Sequence, residues 1–433
     1  MEKILSLAMK SARAAEVFHL SSEETQVRFE SNRLKQVHTN QATSVALRVI
    51  KDGRLGYATA TGEDRPEELV RNALETAAFG MKAEFTFPEA TSFPSVEIAD
   101  DAVMQVPMPD MVSLGEEMIA AVTDFKDGII CDASITRGTM TMKIMNSSGG
   151  MAEYCKTFFG IDIEGTVIEG TDMLFVGESE SSCHPVKNTK WVIDTVRRQL
   201  ERASRKASVP TKIMPVIFTS NSIISLIMPL LAATSGKTVL EGASPLGDKL
   251  GKTVLDTGFS LYDNPLLAFR PGSRPCDDEG VPSQVTPLIE NGIVKNFYYD
   301  LQTAARARTK STGNGARGRG SLPSPSISQP VIAPGKTNFD DMLADIKEGL
   351  IIEQLMGADQ GNLLGGDFSG NVLLGYKVEN GKIVGRVKDT MVSGNVYHLL
   401  KEIAGIGSEP AWVSGFLYAP PLYCSGLSVS SKA

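Results

Sequence analysis

Histidines are candidate metal ligands, because zinc hydrolases usually hold their metal with His, Glu, Asp or Cys side chains and leave one position open for water. The chain has four: His19, His38, His184 and His398. No two are close enough in sequence to share a helix face, so no HExxH-like pair is present. Each is therefore predicted to be a surface or core residue rather than a metal ligand.

Serine or cysteine catalysis leaves less trace in a sequence, because its partners assemble in space. The chain has no GxSxG elbow, and its five cysteines are scattered, odd in number and without a CxxC pair. That pattern is typical of reduced thiols in a cytosol. Cys276 and Cys424 have no local activation signal, which predicts inert thiols and leaves a spatially assembled site open.

A glycine-rich stretch, Ser311 to Gly320 (STGNGARGRG), has the most unusual composition in the chain. It lacks the closing Gly-Lys-Ser/Thr of a P-loop. Its backbone amides, with Arg317 and Arg319 beside them, could bind a carboxylate or a phosphate. The alternative is a mobile loop whose arginines are solvated.

Composition excludes several classes of protein. The net charge is −8, with no long basic run, which does not favour nucleic acid as a partner. The longest apolar run, Ile223 to Ala233, contains Pro229 and is too short to cross a membrane. The N-terminal MEKILSLAMKSARAAE is predicted to be an amphipathic helix and not a signal peptide.

The elements that must position these residues predict an α+β chain of two domains. Residues 1–208 are expected to form an N-terminal α/β domain with helices on a largely antiparallel sheet. Residues 209–433 are expected to form a β-rich, sandwich- or barrel-like domain with few helices. Those helices are predicted over Ile223 to Ala233, Phe339 to Met356 (capped by Asn338, ended by Gly357) and Asn395 to Ala404.

Three C-terminal motifs, in this order, resemble the signature of the TldD/PmbA (TldD/TldE) family. The first is STGNGAR at Ser311 to Arg317, followed by Pro323, Pro325 and Pro334-Gly335. The second is GDFSG at Gly366 to Gly370, followed by ENGK at Glu379 to Lys382. The third is SGNV at Ser393 to Val396, which runs into Ile406-Gly407. With the similar N-terminal order of elements, the resemblance covers nearly the whole chain.

The resemblance implies a cytoplasmic peptidase family that processes or degrades peptides and whose members were also named modulators of DNA gyrase. It implies two subunit types: a zinc-bearing TldD type, and a PmbA/TldE type without zinc. In the TldD type, a helix after a strand like Pro215 to Thr219 carries a His–Glu…His motif. A cysteine near the C-terminus completes that zinc site.

The corresponding helix position here, about Ser222 to Thr234, holds no His, Glu, Asp or Cys. Cys424 matches the third ligand position, and one thiolate cannot hold a catalytic zinc ion. The resemblance therefore points to the PmbA/TldE type, with no cofactor, no metal site and no catalytic residue of its own. The apolar residues around this helix predict burial on all its sides.

The leading hypothesis is a zinc-free subunit that helps a TldD-like zinc peptidase form its chamber for unfolded peptides. Asn314 and Arg317 are the residues expected to bind substrate, although Arg317 could instead only brace its loop. Two alternatives stay open: a peptidase in its own right with an unrecognised site, and a non-enzymatic, homodimeric binding protein. When alone, the chain is expected to form a homodimer.

Overall fold

Long antiparallel strands dominate the N-terminal part of the chain. The computed structural model describes residues 1–318, 321–358 and 360–431. The strands of this part pair in the order β3-β2-β1-β4-β5-β6, and every neighbouring pair is antiparallel. The elements are α1 (Glu2–Ala8), β1 (Ala14–Glu30), β2 (Arg33–Lys51), β3 (Arg54–Ala60), α2 (Pro66–Thr76) with a 3-10 turn (Ala77–Phe79), α3 (Ala102–Gln105), α4 (Met108–Thr123), β4 (Ile130–Asn146), β5 (Met151–Glu169), β6 (Asp172–Ser182) and α5 (Lys190–Arg202).

One of these strands runs through a glycine, a residue that in sequence resembles a turn signal. Gly138 pairs with Glu24 and Phe158 in the middle of β4. A Cβ atom there would stand 2.2 Å from the Phe158 ring and 2.4 Å from the Glu23 carbonyl. The glycine therefore permits close approach of neighbouring strands rather than a reversal of the chain.

Short strands and few helices make up the C-terminal part. Its elements are β7 (Lys206–Ala207), β8 (Lys212–Phe218), α6 (Ile224–Ala233), α7 (Gly236–Leu240), β9 (Leu261–Asp263), β10 (Thr286–Glu290), β11 (Ile293–Val294), α8 (Leu301–Arg306), β12 (Gly315–Ala316), β13 (Ser324–Pro325), β14 (Pro330–Ile332), α9 (Phe339–Asp345), β15 (Glu348–Met356), β16 (Asp367–Glu379), β17 (Lys382–Val387), β18 (Thr390–Asn395), α10 (Val396–Leu399), β19 (Ile403–Ile406), β20 (Ala411–Val413), β21 (Leu417–Ala419) and β22 (Leu422–Ser431).

A closed barrel lies at the centre of this part. Strands β15, β8, β22, β18 and β16 pair in that order, and β15 pairs back with β16. Val216 of β8, for example, lies between Leu350 of β15 and Cys424 of β22. A second sheet has the order β11-β10-β9-β14-β21-β20. The predicted α+β class, with an antiparallel N-terminal sheet and a β-rich, barrel-like C-terminal part, is confirmed.

The predicted helix from Phe339 to Met356 is wrong beyond its first two turns. Asn338 does cap a helix, accepting the Asp341 N–H at 2.8 Å, but α9 ends at Asp345 and β15 begins at Glu348. The run Gly349 to Ile352 is buried on both faces, because β15 lies in the barrel wall between β8 and β16. A strand buried on both faces is apolar throughout, so periodicity does not distinguish it from a buried helix.

The expected helix from Asn395 to Ala404 is similarly short. α10 covers only Val396–Leu399, and the chain then enters β19 at Ile403. The predicted helix over Ile223 to Ala233 is confirmed as α6. The predicted boundary between domains at residue 208 stays a prediction.

Helix α5 lies between the N-terminal sheet and the barrel. One apolar cluster contains Val192 and Val196 of α5, Ile163 of β5, and Ile351 and Leu374 of the barrel wall. The two halves of the chain therefore share part of their core. No helix in the described ranges is long and apolar enough to cross a membrane.

Phe218, at the end of β8, tests the packing of the barrel. Its side chain is fully buried. We expect Phe218→Ala to lower the free energy of unfolding by about 3–5 kcal/mol, through lost transfer energy and the cavity that it leaves. Ile213→Ala on the same strand is the matched control, because Ile213 is 74% exposed and should change stability by less than about 0.5 kcal/mol. Urea denaturation measures both, and equal losses would contradict this account of the barrel core.

Candidate functional site

The junction between β8 and α6 forms one wall of a cleft between the two halves of the chain. Thr219 Oγ1 donates a hydrogen bond to Glu353 Oε2 at 3.1 Å, and Ser222 Oγ donates to the Ile352 carbonyl at 2.7 Å. These bonds fix the start of α6 against β15. Asn221, between them, reaches across and donates to Glu178 Oε2 of β6 at 3.1 Å.

Two adjoining cavities make up this space, which we call the central cleft. Their volumes are about 320 Å³ and about 400 Å³, and they share Glu178 and Asn221 as lining residues. Such volumes suit a short stretch of an extended peptide or another small ligand. The polar and aromatic side chains that line the cleft include Asp162, Glu164, Glu178, Trp191, Arg198, Arg202, Asn221, Glu353 and Trp412.

The carboxyl groups of the central cleft have raised pKa values. Burial raises the pKa of Glu178 and of Glu353, and in Glu353 it outweighs the opposing effect of Arg202, whose Nη1 lies 3.6 Å from Oε1. Burial, aided by the charge of Glu164, raises the pKa of Asp162 to about 6. Such groups favour a proton or a cationic ligand. Arg198 and Arg202 offer the opposite charge in the cavity that Glu178 and Glu353 line.

Two strand edges border the central cleft. β6 pairs only with β5, and β20 pairs only with β21, among the residues that the structure describes. Ser179 Oγ beside β6 and Ser414 Oγ beside β20 lie 3.0 Å apart. Trp412 of β20 lies under Arg270, whose guanidinium carbon is 4.1 Å from the ring centroid. A strand edge next to an aromatic side chain can bind an extended chain irrespective of its sequence.

A buried ion cluster lies elsewhere between the two halves. Arg48 of β2 donates from Nε and Nη2 to Glu16 of β1, at 2.9 and 2.8 Å, and from Nη1 to Glu279 at 2.7 Å. Arg317 Nη2 also donates to Glu16. The side chains of Arg48, Glu16 and Glu279 are almost completely buried. The charges therefore compensate one another without water, and they connect the N-terminal sheet to C-terminal loops.

The two carboxylates of the ion cluster differ in pKa. Burial alone would raise the pKa of Glu16, but its two arginine neighbours hold the pKa below the usual value. Glu279 has less compensation, because Asp277 and Asp300 oppose the effect of Arg48, and burial raises its pKa to about 7. Glu16 therefore favours its ionised form, whereas Glu279 holds a proton more readily than an ordinary glutamate.

The predicted substrate-binding residue Arg317 belongs to this ion cluster. Its backbone N–H donates to Asp278 Oδ2 at 2.8 Å and its Nε to the Asp278 carbonyl at 3.0 Å. Its side chain is 3% exposed. Among the described residues Nη1 has no hydrogen-bond partner. These contacts brace the loop, and Nη1 is buried as well.

Asn314, the other predicted residue, is buried in a hydrogen-bonded turn. Its Nδ2 donates to Asp263 Oδ2 at 2.6 Å and to the Ser326 carbonyl at 2.9 Å, and Oδ1 accepts from Thr312 Oγ1 at 2.7 Å. Neither Asn314 nor Arg317 lines the central cleft. Their role in substrate binding stays a prediction, and Arg319 lies outside the described residues.

The prediction that the apolar helix α6 is buried on all its sides is wrong. Leu226, Ile227 and Leu230 point into the core, but Met228 on the opposite face is 38% exposed. Ile224, Ser225 and Ala232 are also partly exposed. A helix that borders a cavity at its start thus also presents an apolar stripe at the surface.

Cys424 lies on β22 opposite Val216 of β8 and Ile403 of β19. The side chain is fully buried in the same apolar cluster as Leu226 and Leu230 of α6. Burial raises the pKa of its thiol to about 12. Burial therefore favours the neutral thiol, which is not the nucleophilic form.

Comparison with protein families identifies this architecture. Residues 211–431 match the PmbA/TldA metallopeptidase C-terminal domain, and residues 15–77 match PmbA/TldA metallopeptidase domain 1. The chain belongs to the PmbA/TldD family.

Relatives within the family align over most of their length. An uncharacterized protein of Methanocaldococcus jannaschii is 26% identical over 416 residues, which cover 93% of each chain. Metalloprotease PmbA of Escherichia coli O157:H7 is 27% identical over 428 residues, or 94% of this chain and 90% of that protein. The crystal structure of TldE from Thermococcus kodakarensis superposes with a TM-score of 0.91 over all of both chains, at 22% identity. This likeness shows a shared fold.

The description of PmbA/TldD proteins as metallopeptidases raises the question of which residues here could hold a metal ion. Within the described residues, no three His, Cys, Asp or Glu side chains are grouped as metal ligands. α6 has no His, Glu, Asp or Cys side chain, and Cys424 would supply one ligand where a catalytic zinc site needs about three. The residues at this position therefore do not fit a catalytic zinc site.

Several residues of the site were missed from sequence, although a signal for two of them was present. Arg48 interrupts the apolar run SVALRVI, and Glu353 interrupts LIIEQL. A charged residue within a buried strand needs a partner, and that requirement predicts an ion pair or a polar cleft. Asn221, Glu178 and Trp412 carry no comparable local signal, because their proximity depends on how the two halves meet.

Removal of Arg48 tests the ion cluster. We expect Arg48→Met to lower the free energy of unfolding by about 3–5 kcal/mol, because it leaves buried carboxylates without their partner. Arg28→Met is the matched control: Arg28 also pairs with a glutamate on the same sheet, Glu30, but its side chain is half exposed, so about 0–1 kcal/mol is expected. Thermal and urea unfolding measure both variants. An Arg48→Met variant with an unchanged free energy of unfolding would show that the charges are not coupled.

Asp162 gives the central cleft a pH dependence. A carboxyl group whose folded pKa is about 6, against an ordinary value of 3.8, contributes stability below pH 3.8 that is lost as the pH rises through 6. We therefore expect Asp162→Asn to gain stability relative to the wild type between pH 4 and 7, with a plateau above. Urea titrations at several pH values measure this. Ser179→Ala, which changes a neutral group in the same cleft, should differ from the wild type equally at every pH.

Proposed function

We propose that this chain is a PmbA/TldE-like subunit of a TldD-type peptidase complex in the cytoplasm, and that it binds no catalytic zinc. In this complex the zinc-bearing subunit would cleave unfolded peptides, and this chain would complete the chamber that holds them. Family membership supports the association with peptide hydrolysis. The division of labour between subunits is the proposal.

The observation that carries the proposal is the composition of α6. Its sequence from Ile224 to Ala233 is ISLIMPLLAA, which has no His, Glu, Asp or Cys side chain to hold a zinc ion or to act as a general base. Leu226 and Leu230 instead belong to the same buried apolar cluster as Cys424. In this proposal the fold of the family is retained, while apolar side chains occupy the position at which the family resemblance places a zinc-binding helix.

The central cleft is the place where this subunit would contact a peptide. The unpaired edge of β20 can bond to the main chain of any extended segment, which suits substrates without a common sequence. On β6, by contrast, the N–H and C=O of Gly177 are already bonded to the Gln199 side chain. Asp162, Glu164 and Glu178 would attract an amino terminus or a basic side chain. Arg198 and Arg202 in the neighbouring cavity would bind carboxylates.

Metal analysis and reconstitution test the proposal. We expect the purified chain to contain far less than one zinc ion per molecule and to leave an unfolded peptide such as casein uncleaved. Mixed with a TldD-type paralogue from the same genome, it should form a stable complex whose peptidase activity is lost with a chelator. Trp412→Ala should lower the activity of the complex about tenfold, or about 1.4 kcal/mol, without releasing the subunit.

Phe416→Ala is the matched control for Trp412→Ala, because Phe416 follows the same strand but does not line the central cleft. It should leave the activity unchanged. Stoichiometric zinc in the chain alone would overturn the zinc-free assignment. A stable homodimer that ignores every such paralogue would overturn the subunit role.

One observation favours a second candidate, a hydrolase that works alone. Glu178 and Glu353 line the same cavity and both have raised pKa values, which is an arrangement that enzymes use for general acid and base catalysis. That candidate requires peptide cleavage by the zinc-free chain, insensitive to chelator and abolished by Glu353→Gln. Absence of cleavage by the chain alone would exclude it.

A further inference from the structure

The first half of strand β2 has a free edge. β3 pairs with β2 only from Val45 to Lys51, whereas β1 follows β2 along nearly its whole length. From Gln36 to Ser44, β2 therefore has a neighbour on one side only, among the residues that the structure describes. We call this segment the β2 edge. Most of its side chains are exposed, on both faces of the sheet.

The orientation of the backbone along the β2 edge follows from the hairpins. Asp52 and Gly53, with φ of 50° and 75°, form a two-residue turn, so Lys51 and Arg54 exchange backbone hydrogen bonds. Odd-numbered residues of β2 therefore point their N–H and C=O groups toward β3, and even-numbered ones toward β1. In agreement, the carbonyl of Ile50 accepts the Arg13 N–H at 2.8 Å.

Beyond the end of β3 the same alternation leaves groups without a strand partner. The register between β1 and β2 shifts only between Arg28 and Phe29, outside the β2 edge. Val37, Thr39, Gln41 and Thr43 therefore direct their N–H and C=O groups outward. Natural edge strands are usually protected by a proline, a bulge or a covering element. None of these protects Gln36 to Ser44 in the described chain.

The sequence of the β2 edge fits a second copy of itself. Gln36 to Ser44 reads QVHTNQATS, with no lysine, arginine, aspartate or glutamate. Antiparallel pairing about a two-fold axis through Asn40 would place Thr39 opposite Gln41 and Val37 opposite Thr43. Each outward-pointing residue then meets another outward-pointing residue, which gives roughly eight hydrogen bonds across the axis. No two like charges would face each other.

The ends of the β2 edge suit this pairing as well. In this register Ser44 faces Gln36 of the second copy, and Val45 would face its Lys35. Because β3 already pairs with Val45, the second copy must leave the sheet at its own Lys35. Arg28 is opposite Gln36 and Phe29 is opposite Leu34, which leaves Lys35 as the extra residue of a bulge. Bulges bend strands, so β2 turns away at the residue where it must leave the partner.

We propose that two copies of this chain associate through the β2 edge, antiparallel about Asn40, to form one continuous sheet across the dimer. Extended peptides and the edge of a different subunit are the other possible occupants. The second copy is favoured because, in this register, each outward-pointing residue meets an outward-pointing residue of the other copy, and no like charges face each other. The inference does not rest on the proposed function, since its test needs neither a peptide nor a zinc-bearing subunit.

Proline substitution tests this interface. Thr39→Pro/Gln41→Pro removes two outward N–H groups that β1 does not use, and edge positions of this kind tolerate proline. We expect it to raise the dissociation constant of the dimer at least about a hundredfold. Thr39→Ala/Gln41→Ala is the matched control, which keeps the backbone donors and should remain dimeric. Sedimentation velocity over a range of concentrations measures all three proteins, and circular dichroism checks that the proline variant is folded.

Cross-linking gives a second, register-specific measurement. In the proposed dimer the two copies of Asn40 form a non-hydrogen-bonded pair with Cα atoms about 4.5 Å apart, which a disulfide can bridge. Asn40→Cys should form a covalent dimer on oxidation, in a Cys155→Ser background because Cys155 is the exposed native thiol among the five. Ser44→Cys, whose symmetry mate lies far away, should not.

Three outcomes would overturn the proposal. They are a wild-type chain that stays monomeric up to about 100 µM, a folded proline variant that dimerises like the wild type, and equal cross-linking of Asn40→Cys and Ser44→Cys. If the proline variant loses binding to another subunit while the wild type alone is monomeric, the β2 edge serves a different partner and self-association is wrong.

Discussion

The buried charges around Arg48 are the constraint on which the arrangement of the two halves depends. Arg48 and Glu16 come from adjacent strands of the N-terminal sheet, whereas Glu279 and Arg317 come from C-terminal loops. An ion without water is tolerated only when its partners are in place. A shift of the sheet relative to those loops would separate the charges, so the cluster fixes the docking of the two halves. Asp172 and Arg386, 2.5 Å apart, connect β6 to β17 in the same way.

The central cleft is a consequence of this fixed docking. One wall consists of β5, β6 and α5, and the other of the β8–α6 junction, β15 and β20. The bond between Asn221 and Glu178 crosses from one wall to the other. No single element forms the cleft. The chain thus supplies shape and polarity at the cleft, while α6 behind it supplies only apolar packing.

Much of the fold followed from the sequence, and the failures have a common cause. Turn signals such as Asp52-Gly53, the cap at Asn338 and helix α6 were predictable because each depends on a few neighbouring residues. β15 was predicted as a helix because its environment comes from β8 and β16, which are distant in the chain. Motif resemblance located α6 and Cys424. Glu279, by contrast, is a partner of Arg48 that lies more than two hundred residues away in the chain, and no local pattern indicates it.

The order of strands around the barrel has a consequence for synthesis on the ribosome. β22 lies between β8 and β18, so that Phe218 pairs with Leu422. The barrel cannot close until the last of these strands has emerged, although the N-terminal sheet is complete long before. During that interval β8 and the apolar α6 are exposed and without their partners, and such surfaces are prone to aggregation. Nascent chains of this topology therefore depend on delayed collapse or on chaperones, and slow translation of the C-terminal half would lengthen their period of risk.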